Sequence, residues 1–276
     1  MHDAFIAFTL ARPDLADIEN LDGYLRGMLR GARCHQGRSA RPRAELTARR
    51  AAARRRLATH LNMRAMSDPH VGQPVLRRGA DWTSARLAVI LLHGRGSAPE
   101  DLLRLADEWS APDVAYLAPA ASGRTWYPES FLSPIDRNEP SLTSALRTVE
   151  RTLAEIADRG IPAERVVILG FSQGGCLALE FAARHARRYG GAVGLSAGLI
   201  GPAGTPRAYP GSLAGTPVFI GCSDVDPHIP LWRVRESAEV LGQLGGRVDA
   251  RVYPGMGHTV NRDEIEAVSS LLNVPI

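Results

Sequence analysis

The chain is expected to fold as an α/β protein: a mostly parallel sheet of about seven strands with helices on both faces and no large cap domain. Three observations predict this. Short, nearly continuous apolar runs such as 86–92 and 166–169 fit strands covered on both faces. Between them lie longer segments with helical spacing, as at Leu142, Leu146, Val149, Leu153 and Ile156. From residue 74 onward the two patterns alternate, which builds parallel sheets.

In order, residues 74–78 read as an edge strand and 86–92 as a buried strand. It runs into the glycine-rich turn His93-Gly94-Arg95-Gly96-Ser97. Residues 99–109 read as a helix and 114–117 as a second buried strand. A long irregular stretch, 118–140, carries Trp126, Tyr127 and Phe131, which fit either the wall of a substrate pocket or ordinary loop packing. Ser141 is placed to cap the helix that Gly160 ends. Strands follow at 166–169, 191–195, 217–221 and 248–253, with helices at 176–183, 231–244 and 261–272. The connection 196–215 is rich in Gly and Pro and lacks a helical period.

Charge divides the chain. Residues 1–66 hold 13 Arg and 6 acidic residues (+7), whereas residues 67–276 hold 20 Arg and 23 acidic residues (−3). We therefore read 1–66 as an Arg-rich, poorly ordered extension, with a short helix at 12–25, and 67–276 as the catalytic domain. The extension lacks aromatic residues at 26–64 that could stack on bases, so nucleic acid is not an expected partner. There is no Lys in the chain, a composition that fits a GC-rich bacterial genome. Cys34, Cys176 and Cys222 are scattered without disulfide or metal-ligand spacing, so neither metal nor cofactor is expected and a reducing, cytoplasmic setting is the default. No apolar run nears the roughly 18 residues that span a bilayer.

The chemistry centres on Gly170-Phe171-Ser172-Gln173-Gly174, a serine between glycines where an apolar run meets a helical one. A strand that turns this sharply into a helix strains the serine backbone and needs bare neighbours for close approach, which describes a nucleophile elbow. A serine needs a base within hydrogen-bond reach. Three candidates stand in the order Ser172, Asp226, His258, each in a loop after a strand. His258 would be the base and Asp226 its orienting acid. His93 and His228 compete for the base and Asp224 for the acid; His258 follows the last strand, and Asp226 is preferred to Asp224. The turn at 93–97 is either an oxyanion site, with the N–H of Arg95 and of Gln173 as donors, or a plain tight or phosphate-binding turn. Ile229, beside the acid, joins the pocket candidates.

Together, His93-Gly94-Arg95-Gly96, Gly170-Phe171-Ser172-Gln173-Gly174-Gly175, Asp226-Pro227-His228-Ile229-Pro230 and Gly255-Met256-Gly257-His258 resemble the phospholipase/carboxylesterase family of α/β-hydrolases over about residues 70–276. The resemblance implies a capless hydrolase with a Ser172, Asp226, His258 triad and an oxyanion hole from the Arg95 and Gln173 N–H groups. Thioesterases of the family often carry Leu where Arg95 stands, and the acid loop here is one residue longer. The function expected is a serine carboxylesterase acting on small to medium acyl esters, as a monomer or homodimer with a small-molecule ester as its partner. Alternatives are an acyl thioesterase or lysophospholipase on the same triad, or, from another class, an Arg-rich anion-binding protein with a secondary hydrolase body.

Overall fold

A computed structural model describes residues 68–109 and 111–274. The expectations for the Arg-rich extension, including a helix at 12–25, lie outside the described residues.

Seven strands form one sheet: β1 (Val75–Gly79), β2 (Leu87–Leu92), β3 (Val114–Pro119), β4 (Val166–Phe171), β5 (Gly191–Leu195), β6 (Pro217–Ser223) and β7 (Arg247–Tyr253), in the spatial order β1-β3-β2-β4-β5-β6-β7. Only β1 is antiparallel, pairing with β3; every other pairing is parallel. Among the described residues the α-helices are α1 (Pro99–Leu105), α2 (Ser141–Asp158), α3 (Gln173–Arg184), α4 (Leu231–Gln243) and α5 (Arg262–Leu272).

The continuous apolar run of β2 is explained by two cores. Ala88, Ile90 and Leu92 point into one, with Leu142, Val149, Leu177, Val234 and Leu241 of α2, α3 and α4. Leu87, Val89 and Leu91 point into the other, with Leu102 of α1 and Val268 and Leu272 of α5. Side chains alternate across a strand, so a strand buried on both faces must be apolar throughout.

Two element expectations are corrected in detail. The helix read at 99–109 is α-helical only to Leu105 and tightens into a 3₁₀ turn at Ala106–Glu108, which leads to the buried Trp109. Ser141 is not the cap of α2. Pro140 holds that position, and the Glu139 carboxylate accepts from the Thr143 N–H at 3.0 Å, meeting one of the free donors of the first turn. Among the described residues, no helix is long and apolar enough to cross a membrane.

Candidate active site

β2, β4, β5 and β6 run parallel, so the loops at their C-terminal ends gather at one edge of the sheet. Ser172 leaves β4 with φ 54° and ψ −120°, a conformation that costs strain in any residue but glycine. Steric closeness explains the bare neighbours. A Cβ on Gly174 would lie 2.0 Å from the Leu92 carbonyl oxygen, and one on Gly170 would lie 2.3 Å from the Gly174 carbonyl. The elbow therefore sits directly against the end of β2.

Ser172 Oγ lies 2.8 Å from His258 Nε2, and His258 Nδ1 lies 2.7 Å from Asp226 Oδ2. The ionised carboxylate only accepts, so Nδ1 carries the proton and Nε2 is free to accept from the serine hydroxyl. The Asp226 side chain has no exposed surface. Burial works against its charge, but hydrogen bonds from His258 and from the N–H groups of His228 and Ile229 outweigh it and hold the carboxyl below its usual value. The His258 ring lies 4.9 Å from that of Phe171 and 4.8 Å, edge to face, from that of His228.

The rivals have other places. Asp224 is exposed, and its Oδ1 accepts from the Gly255 N–H at 2.8 Å, pinning the loop that carries His258. His228 follows the acid and touches His258 without meeting Ser172. His93 is buried, with Nε2 accepting from the Ala121 N–H at 3.1 Å and Nδ1 donating to the Gly94 carbonyl at 2.8 Å. Burial pushes its pKa down, more than that carbonyl raises it.

The turn at 93–97 lies beside Ser172, since a Cβ on Gly94 would be 3.6 Å from that of Ser172. Among the described residues, neither the Arg95 nor the Gln173 N–H donates to a protein acceptor. Trp126 is fully buried, Tyr127 is 1% exposed and Phe131 7%, so these side chains pack within the loop. Ile229 is likewise buried in the acid loop.

Three groups escaped the reading of the sequence. The Gln173 side chain accepts from the Trp126 N–H at 2.9 Å and donates to the Tyr127 carbonyl at 2.7 Å. Buried His70 accepts from the Ser122 N–H at 3.0 Å, donates to the Trp126 carbonyl at 2.8 Å and meets the Trp126 ring edge-on. Glu264 forms a capping box with Asn261, three residues beyond His258; its Oε2 accepts from the Asn261 N–H at 2.8 Å. Its Oε1 is buried without a hydrogen-bond partner among the described residues, against β6 where Gly221 leaves room. Burial pushes the Glu264 carboxyl up to about 7. The pattern Asn261-x-x-Glu264 was a legible signal of this cap; the tertiary contacts of Gln173 and His70 had none.

A sheet of this topology, with Asp226, His258 and a strained Ser172 gathered at its C-terminal edge, is an α/β-hydrolase fold. Residues 80–276 match the sequence profile described as phospholipase/carboxylesterase. The chain belongs to that family. It is 28% identical over 225 residues to acyl-protein thioesterase 1 of Saccharomyces cerevisiae, covering 71% of this chain and 96% of the yeast protein. It is 26% identical to carboxylesterase SOBER1 of Arabidopsis thaliana, covering 67% and 89% of the two. The crystal structure of a phospholipase/carboxylesterase from Dyadobacter fermentans superposes with a TM-score of 0.70 at 41% identity, covering 73% of this chain and 96% of that one.

Proposed function

We propose that this protein is a serine carboxylesterase that hydrolyses small to medium acyl esters through an acyl-enzyme. The observation that carries the reading is the unbroken Asp226–His258–Ser172 hydrogen-bond chain, at 2.7 and 2.8 Å, ending on a serine at φ 54°. His258 takes the Ser172 proton as Oγ attacks the ester carbon, and Asp226 stabilises the imidazolium that results. The Arg95 and Gln173 N–H groups receive the oxyanion. His258 then gives the proton to the departing alcohol and later draws one from the water that frees the acid.

A thioesterase reading is supported by the names of three fungal relatives, each an acyl-protein thioesterase 1, and the same triad serves both leaving groups. Hydrolysis of p-nitrophenyl esters from acetate to palmitate, with Ser172→Ala in parallel, tests the proposal. We expect turnover to peak at short chains and to be abolished in the variant. A peak at long chains transfers the assignment to the thioesterase or lysophospholipase reading, and ester turnover that survives in Ser172→Ala refutes the serine mechanism.

A further inference from the structure

The register between β2 and β4 ends at the pair Leu92–Gly170. The two proposed oxyanion donors lie beyond it, Arg95 three residues past its strand and Gln173 at the start of α3. The sheet ladder stops short of both; close packing of Gly174 on the Leu92 and His93 carbonyls brings the two turns together, and the side chains of the donor residues add a second tie. The side chains of both residues reach the same four-residue segment.

From the elbow, Gln173 bonds Trp126 N–H and Tyr127 O at 2.9 and 2.7 Å. From the turn, Arg95 Nη1 donates to Pro128 O at 2.7 Å and Nη2 to Glu129 O at 2.5 Å. Gln173 thus meets residues 126 and 127, with Tyr127 Oη also donating to the Gln173 carbonyl at 3.4 Å, and Arg95 meets residues 128 and 129. The segment is itself held by Trp126, whose Nε1 donates to His93 O at 2.9 Å and whose ring lies between His70 and His93.

We infer that segment 126–129 is a bracket that sets the spacing of the oxyanion donors, and that the Arg95 guanidinium is the positioning residue fastening it to the turn. This rests on the serine hydrolase reading above. The planar fork of Arg suits two neighbouring carbonyls, and a Lys ammonium, whose three N–H donors radiate from one nitrogen, does not reproduce its two parallel, fixed donors. Among the described residues Arg95 has no carboxylate partner, so its anchoring is to backbone alone. It is also exposed, so truncating it leaves no buried cavity, unlike Gln173 or Trp126.

The test compares Arg95→Met, which loses charge and fork, with Arg95→Lys, which keeps the charge. Both are assayed for kcat and KM on p-nitrophenyl butyrate, for inhibition by phenylboronic acid as a tetrahedral oxyanion mimic, and for amide hydrogen exchange at 126–129. Loss of a whole oxyanion donor costs about 10²–10³ in rate, and slackening one costs less. We expect kcat to fall about tenfold in both variants, boronate binding to weaken in step, KM to stay within about twofold, and exchange at 126–129 to rise. Unchanged kcat, recovery in Arg95→Lys or an effect on KM alone overturns the inference; recovery would assign the effect to charge, and a KM effect to ground-state binding. If wild-type protein shows no Ser172-dependent turnover, the parent reading fails instead. Unchanged exchange in Arg95→Met would then overturn the bracket on its own.

Discussion

Glu264 offers a test of the energetics behind the His258 loop. Its carboxyl is pushed from an ordinary 4.5 up to about 7, first by burial and then by the neighbouring Asp263 charge, against the pull of the Asn261 N–H. The folded state thus holds its proton more tightly than the unfolded chain. The stability this proton supplies is fully present below pH 4.5 and is lost as pH rises through about 7. At about 1.4 kcal/mol per pH unit, the gap sets a ceiling of about 3–4 kcal/mol on the cost of ionising Glu264 at pH 8. Glu264→Gln keeps a capping oxygen for the Asn261 N–H but does not titrate. Its amide also sits where Oε1 lacks a partner, so the net gain should be smaller, about 1–2 kcal/mol. For a protein of this size that is roughly a 2–8 °C rise in Tm. Thermal unfolding of both proteins across pH 5–9 should show the variant level with or below wild type at pH 5 and above it at pH 8. A difference in Tm that does not change with pH would refute the reasoning.

Two further outcomes follow from the site. Asp226→Asn retains the acceptor for the His228 and Ile229 N–H groups but presents an amide to His258, favouring the wrong tautomer. Turnover should fall by about 10⁴, whereas Asp224→Asn, which still accepts from Gly255, should stay within about threefold; equal losses in a steady-state assay would reopen the choice of acid. Burial lowers the pKa of His70 and His93 below 6.5, and protonation would turn the nitrogens that accept from Ser122 and Ala121 into donors. Each should therefore cost stability as pH falls below 6.5, by up to about 1.4 kcal/mol per pH unit. His70→Gln should make the fall in Tm between pH 7 and 5.5 shallower than in wild type, and an identical slope would dismiss the idea.

The periodicity of the chain made the sheet legible, because strands buried on both faces and helices with one apolar stripe leave different spacings. Gly170 and Gly174 likewise announced close backbone approach. Loop side chains were less readable. What an aromatic at 126 packs on depends on partners far away in sequence: here His70 and Gln173, 56 and 47 residues off. Asp224 and Asp226 were hard to separate for a similar reason. They are chemically alike and two residues apart, and only the folded loop directs one to a histidine and the other to the Gly255 N–H.

Asp226 is held by N–H groups of its own loop, and the His258 loop is held by Asp224 and by the cap of α5; none of these ties passes through the Ser172 hydroxyl. Replacing that hydroxyl with hydrogen should therefore silence the chemistry and leave the cleft's shape intact. Such an inert but correctly formed protein is a practical reagent: soaked or equilibrated with a panel of esters and thioesters, it can hold an uncleaved compound long enough for its structure to be determined.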